Sequence, residues 1–488
     1  MENEKKQLVD SDVIQSSFKL SAMAELISKL IGPISVMILA RILLPKDFGV
    51  VAGIMMLVSF SNVITDSGFS KYIIFNDFDS DSEEREVALV SFWTNFIIAL
   101  IIYFLLFFFA GKVSILIMGV YNPLLIRVSG IIIVISSFCS VQNALLKKHF
   151  KFKAYFWIRI AYTVVPLLIT VPLAILLRSY WALIIGNIIN IFVNFLLLKH
   201  FVKFVIEFKY PYKLLKKMYK FCLWSLSEGV IYWLLIWVDT FIVAKYFSIE
   251  QLGLFKGIYN MVISILSIVG ATIMAVVFTT LSRFKNDKTQ FKKTYLSMLK
   301  VIAYIVLPMG VGMFAYQKPI VKLLFGSRWS EGHIVLGMMA LMYSLNILFV
   351  LFNTEVLKSL GRPKVVFYSN ILQLSIIIVG SILGTRNGFN SFLHYRTALI
   401  IPQIVMIIIF ILINSNYLKD VFIKGLFGPA VSVIFMYMVY LTQSILKIQN
   451  IFLSLIMMLI TGIMYLLFVR IVFKEDFYTV LSFFRKKV

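Results

Sequence analysis

Polar residues in this chain fall in short bursts between long apolar runs, and the runs recur from one end to the other. Each run is roughly 20 residues, enough for a helix to cross a hydrocarbon layer of about 30 Å. Within a run the apolar residues are continuous rather than alternating, which excludes the strand period of a membrane β-barrel. The pattern predicts about fourteen transmembrane helices, the first near Lys29, the second near Leu57 and the last two near Phe435 and Leu459. The expected fold class is an all-α polytopic membrane protein.

The first polar break carries the most information. From Ala40 to Gly53 the chain reads Ala-Arg-Ile-Leu-Leu-Pro-Lys-Asp-Phe-Gly-Val-Val-Ala-Gly. This pattern predicts a helix end, a turn over Arg41 to Asp47, and a second helix opening at Pro45. The stretch from Ala244 to Gly257 echoes it. Ala40, Arg41, Gly49 and Gly53 fall on Ala244, Lys245, Gly253 and Gly257 at one offset (244 − 40 = 253 − 49 = 257 − 53 = 204). A second echo sets Leu146, Lys147 and Lys153 on Leu357, Lys358 and Lys364 (357 − 146 = 364 − 153 = 211). Constant offsets predict an internal repeat. The long basic connection from Lys199 to Lys220 then divides an N-terminal six-helix lobe (1–210) from a C-terminal one (211–415). Residues 416–488 add two accessory helices and a basic tail. An even number of spans per lobe makes the repeats parallel.

Hydrophobic residues make up 60% of the chain, above the roughly 45–50% of soluble domains. The net charge of +24 does not point to nucleic acid, because the basic residues sit in short loops between spans. With the N-terminus inside, roughly 30 Lys and Arg fall in inner loops against roughly 10 outside, which predicts two cytoplasmic termini. The loop from Asp77 to Glu86 is the acidic exception. Met1 to Gln15 lacks the apolar core of a cleaved signal peptide. Cys139 and Cys222 build no disulfide framework, and the four histidines have no ligand spacing.

Ionisable side chains inside spans cost several kcal/mol unless paired or hydrated. Glu25 and Lys29 lie four apart in the first span, either as a self-neutralising pair or facing a cavity. In the seventh span Glu228 and Asp239 are eleven residues apart and share a face, which favours a hydrated cavity. Lys256, followed by Tyr259 and Asn260, lies in the eighth span, where it can also neutralise Asp239. Arg159 opens the fifth span and either clamps a phosphate or snorkels to headgroups. Asp66, ahead of Gly68, suits a turn. Arg127 and Arg396 are expected to snorkel at the outer ends, and Glu355 to pair with Lys358. Pro166, Pro172 and Pro402 are expected to interrupt spans. No catalytic motif or nucleotide-cradling loop is present, so the chain reads as a transporter rather than an enzyme. No cofactor is expected, and any driving force comes from an ion gradient (H+ or Na+) or from the substrate's own gradient.

Ala40 to Gly49 resembles the first-loop signature of bacterial polysaccharide exporters of the O-antigen flippase (Wzx) type. The resemblance continues through Asp66-Ser67-Gly68-Phe69-Ser70, Leu252-Gly253-Leu254-Phe255, Tyr259-Asn260 and Phe325-Gly326-Ser327-Arg328-Trp329. It covers most of residues 15–415 and is strongest with the longer colanic-acid- and teichuronic-acid-exporter branch. Lys245 in place of Arg41, and no proline matching Pro45, are departures in the second copy. The resemblance implies the multidrug/oligosaccharidyl-lipid/polysaccharide exporter superfamily, with two six-helix lobes in a V plus two extra helices. It also implies transport of a polyprenyl-pyrophosphate-linked oligosaccharide across the inner membrane by alternating access, for surface polysaccharide synthesis. Membrane lipids and the polysaccharide polymerase machinery are the further implied partners. Lys29, Arg159 and Lys256 are the candidate cations for the pyrophosphate. Glu25, Glu228, Asp239, Tyr259 and Asn260 complete the candidate cavity, and Arg41, Asp66, Gly49 and Gly253 are structural or gating candidates. A drug extruder of the same fold and a lipid II flippase are the alternatives. A membrane polymerase or ligase would need a larger outer loop than any present.

Overall fold

The computed structural model describes Met23 and residues 27–415, 419–446 and 450–485. Among the described residues the structure is helical without strands. Hydrocarbon supplies no hydrogen bonds, so each crossing segment must satisfy its own backbone, and helices do so. Among the described residues, thirteen helical segments are long and apolar enough to cross a membrane. The first expected span is helical over 27–42 and lies partly outside the described residues.

The chain divides into two compact units, Met1–Gly253 and Leu254–Val488. The first holds α1 (27–42), α2 (Pro45–Asp66), α3 (Phe69–Phe75), α4 (Asp81–Phe108), α5 (Ala110–Met118) and α6 (Pro123–Lys148). It continues with α7 (Phe152–Val165), α8 (Val171–Leu177), α9 (Tyr180–Val202) and α10 (Tyr212–Tyr246). A π-helical turn at Pro166–Thr170 joins α7 to α8, so Pro166 widens this span rather than ending it. Helix α11 (Ile249–Arg283) leads into the second unit. That unit holds α12 (Lys288–Ala315), α13 (Gln317–Leu324), α14 (His333–Leu345), α15 (Phe352–Ser359) and α16 (Pro363–Gly384). It ends with α17 (Phe389–Ala398), α18 (Ile400–Asn414), α19 (Lys419–Ser444), α20 (Ile451–Val472) and α21 (Lys474–Arg485).

Both sequence echoes have the same local geometry in each copy. At the 204-residue offset, Leu44 N–H donates to Asp47 Oδ2 at 3.0 Å, and Ser248 N–H to Gln251 Oε1 at 3.1 Å. The helices α2 and α11 then begin at Pro45 and Ile249, again 204 apart. At the 211-residue offset, α6 and α15 end on one type of cap. Phe150 and Lys151 donate to the carbonyls of Lys147 and Leu146, and Gly361 and Arg362 to those of Lys358 and Leu357. Both caps turn through a left-handed residue, Phe150 (φ 51°) and Gly361 (φ 74°).

The acidic loop is a counterion layer at one end of the first unit. Ser80 caps α4 by accepting from Glu83 N–H. The carboxylates that follow then meet the basic connections. Glu83 pairs with Lys217 (3.1 Å), Glu84 with His149 (2.6 Å) and Lys148 (3.7 Å), and Glu86 with Lys209 (2.5 Å). Arg85 reaches Glu207 at 2.6 Å. Lys148 also donates to the carbonyls of Ile73 (3.0 Å), in the last turn of α3, and Asn76 (2.6 Å), just after it. Beneath this layer lies a knot of Phe69, Tyr72, Ile73, Phe92, Met218 and Cys222. Exposed pairs contribute at most about 1 kcal/mol each, so the apolar knot supplies most of the stability and the ion pairs set the register.

In the second unit the accessory helices are bolted to α12. α19 packs along α12, and α20 packs on α19. Asp476, at the start of α21, pairs with Lys300 (2.6 Å) and accepts from Tyr304 (2.9 Å). About 24 Å further along, the hydroxyl of Tyr316 meets Gln443 and Thr461. Glu355 and Lys358 pair at 2.8 Å as their spacing predicts. Arg396 differs from expectation: it is 4% exposed rather than snorkelling, because α17 packs between α14 and α16. Arg127 is half-buried, lying 4.5 Å over the Phe107 ring and donating to its carbonyl.

A bulky residue in the left-handed region costs about 1 kcal/mol where glycine costs nothing. Phe150→Gly is therefore expected to stabilise the detergent-solubilised protein by about 1 kcal/mol, and Gly361→Ala to destabilise it by a similar amount. Thermal unfolding midpoints of the two variants check this.

Candidate substrate-facing site

The turn at Arg41 to Asp47 is held by one buried carboxylate. Asp47 is 4% exposed. Its Oδ2 accepts from Leu44 N–H at the start of α2, and its Oδ1 from Tyr180 N–H at the start of α9 (3.1 Å). Helix starts leave amides unsatisfied and carry partial positive charge, so one anion serves two of them. In the same unit, Gly49 and Gly253 bring two helix starts into backbone contact. A Cβ on Gly49 would overlap the Ile249 carbonyl oxygen, and one on Gly253 the Pro45 carbonyl oxygen. The Arg41 side chain is exposed beside this turn.

The Asp66-Ser67-Gly68-Phe69-Ser70 stretch makes the junction of α2 with α3. Ser67 and Gly68 both adopt left-handed backbone (φ 42° and 82°). Asp66 Oδ1 accepts from the hydroxyls of Ser70 (2.6 Å) and Ser140 on α6 (2.5 Å). One turn earlier, Ser136 donates to Asn62 at 2.6 Å. The two pairs, each one turn apart on both helices, form a polar seam between α2 and α6. Gly68 also lets α10 approach closely, since a Cβ there would collide with the side chain of Ser225.

On α10 the anchoring face is aromatic. Trp233 donates to Ser59 at 2.9 Å and packs on Phe60 with centroids 4.7 Å apart. A different side bears Glu228, whose carboxylate pairs with Lys71 of α3 at 2.8 Å. The two side chains are 58% and 55% exposed. Glu228 follows the basic opening of α10, which carries Lys213, Lys216, Lys217 and Lys220, and it stays exposed together with Lys71.

The remaining sequence candidates are distributed differently. Asp239, further along α10, is 3% exposed, whereas Lys256 and Tyr259 on α11 are 7% and 8% exposed. Asn260 is exposed. Lys29 on α1 and Arg159 on α7 are half-buried. Glu25 lies outside the described residues. Lys71 escaped the sequence reading because its partner is 157 residues away. Its only local signal is a cation directly after the Asp66–Ser70 stretch.

The fold of this helical polytopic chain is shared with a solved flippase. It superposes on the lipid II flippase MurJ in an inward closed conformation with a TM-score of 0.77 at 17% identity, covering 94% of this chain and 99% of that one. The family model described as "Polysaccharide biosynthesis protein" matches residues 38–333, and the chain belongs to that family. The matched segment contains each signature stretch read from the sequence. The chain is similar to the succinoglycan biosynthesis transport protein ExoT of Rhizobium meliloti (strain 1021), 24% identical over 396 residues, covering 81% of this chain and 78% of that protein. It is also similar to the lipopolysaccharide biosynthesis protein WzxC of Escherichia coli (strain K12), 20% identical over 404 residues, covering 80% and 74%.

Gly49→Ala and Gly253→Ala are each expected to abolish complementation of a chromosomal deletion, because backbone atoms cannot yield to the new methyl. Gly312→Ala, whose methyl would meet nothing within 4 Å, is expected to complement fully. Surface-polysaccharide assays of the three strains, at matched protein levels, check this.

Proposed function

We propose that the protein is a flippase that carries a polyprenyl-pyrophosphate-linked oligosaccharide from the cytoplasmic to the outer face of the bacterial cytoplasmic membrane, for assembly of a surface polysaccharide. The observation that carries the reading is membership of the polysaccharide biosynthesis family over residues 38–333, and the exposed Lys71–Glu228 pair between α3 and α10 is compatible with it. A glycan headgroup cannot cross hydrocarbon, since each unpaired hydroxyl costs roughly 2–7 kcal/mol and the pyrophosphate far more. A water-facing, charge-bearing surface replaces the lost hydration while the polyprenyl tail stays in lipid.

In this reading Lys29, Arg159 and Lys256 meet the pyrophosphate. Glu25, Asp239, Tyr259 and Asn260 complete the cavity, and two lobes rock around it in alternating access. Both termini are cytoplasmic, supported by the excess of basic inner loops. Coupling to H+ or Na+, and hand-over to a polysaccharide polymerase, belong to the same proposal.

Deleting the gene in its host is expected to remove surface polysaccharide and to trap polyprenyl-pyrophosphate oligosaccharide on the cytoplasmic side. Lys256→Gln and Asp239→Asn are expected to lower export at least about tenfold, the effect of losing roughly 1.4 kcal/mol of differential binding. Lipid extraction with mass spectrometry, alongside polysaccharide staining, measures both. Unchanged surface glycan in a strain that has become drug-sensitive would replace this reading with drug extrusion.

A further inference from the structure

The Asp66 carboxylate sits in a group of oxygens that has more contacts than protons. Its Oδ1 lies 2.6 Å from the Ser70 hydroxyl of α3 and 2.5 Å from the Ser140 hydroxyl of α6, and those two hydroxyls are 2.9 Å from each other. The amide of Asn95 on α4, 0% exposed, closes the group. Its nitrogen donates to the carbonyls of Thr65 (2.5 Å) and Ser91 (3.3 Å), which turns its Oδ1 toward Ser140 Oγ, 3.3 Å away. The opposite orientation would set Asn95 Oδ1 against the Thr65 carbonyl, acceptor on acceptor. Asp66–Ser70, Asp66–Ser140, Ser70–Ser140 and Ser140–Asn95 then make four oxygen–oxygen contacts, and the two hydroxyls supply one proton each. Whichever acceptors the serines choose, two contacts are left between bare oxygens. While Ser140 turns its proton to Asp66, the buried Asn95 Oδ1 has no donor.

A cation among these oxygens removes the mismatch. Carboxylate, hydroxyl and amide oxygens are the ligands of hard cations. A single carboxylate balances one positive charge, so the group suits a monovalent ion. Oxygens 2.5 to 3.3 Å apart close more readily around Na+ than around the larger K+. The neighbouring ammonium groups are engaged elsewhere: Lys71 pairs with Glu228, and Lys148 with Glu84 and the carbonyls of Ile73 and Asn76. We infer that Asp66, Ser70, Ser140 and Asn95 form a Na+ site where α2 turns into α3. The ion ties the start of α3 to α4 and α6. Ser70 is followed directly by Lys71, whose pair with Glu228 links α3 to α10, so occupancy of the site bears on how α3 holds α10. The inference rests on the flippase reading and adds to it the coupling ion and the residues that bind it.

The test is the thermal unfolding midpoint of the full-length protein in detergent, with NaCl or KCl raised against choline chloride at constant ionic strength. An ion that binds only the folded state raises the midpoint, so NaCl is expected to raise it saturably and KCl to do so far less. Ser140→Ala and Asp66→Asn are each expected to increase the Na+ concentration for a half-maximal shift by at least about tenfold. Should Asp66→Asn fail to fold, Ser70→Ala takes its place beside Ser140→Ala. Ser136→Ala, one turn earlier on α6, removes a hydroxyl of the same seam outside the group and is expected to keep the wild-type Na+ response. Equal shifts with the two salts, no shift with either, or a Na+ response that survives the site variants overturns the site. Surface polysaccharide in the complemented deletion strain is measured alongside. Restored polysaccharide without a Na+ response overturns the site and keeps the flippase reading. A Na+ response in a protein whose deletion leaves polysaccharide unchanged keeps the site and overturns that reading.

Discussion

Hydrocarbon offers a polar group nothing to bond to, and the form of this protein follows from that constraint. Backbone amides are satisfied inside helices, so the difficulty moves to the helix ends and to the few charged side chains between them. At the ends, Ser80, Asn122, Ser179, Asp287 and Asn450 each accept from a first-turn amide. Between helices, charges that leave water are tied at once. Asp47 takes two amides, Lys148 takes two carbonyls as well as Glu84, and Asp476 takes Lys300 and Tyr304. The Lys71–Glu228 pair, by contrast, stays more than half exposed.

The internal repeat is preserved as capping geometry more than as residue identity. Asp47 and Gln251 are different side chains accepting one equivalent backbone bond. Phe150 and Gly361 are different residues turning through one left-handed cap. In each pair, two different side chains serve one backbone arrangement. The copies are not interchangeable. Asp47 also takes Tyr180 of α9, a task for which its second carboxylate oxygen is needed.

How much of this was legible depended on sequence distance. Glu355 and Lys358, three apart on one helix, were read correctly. The Asp66–Ser70 stretch was recognised as a turn, but Ser140, 74 residues on, was invisible as its partner. The acidic loop looked like an exception to the charge pattern and proved to be the layer that binds the basic connections together. Arg396 was expected at the surface because it lies near a span end, but enclosure by α14 and α16 depends on how those helices meet.

By itself the sequence determined the membrane-spanning helical class, the repeat offsets, the main turns and the family. These rest on period, composition and short-range spacing, which a chain carries in its own order. The tertiary structure alone decided which carboxylates of the acidic loop meet which cations, and which glycines touch a neighbouring backbone. Those outcomes join residues far apart in the chain, and helix packing, rather than any local preference of the chain, brings them within a few ångströms.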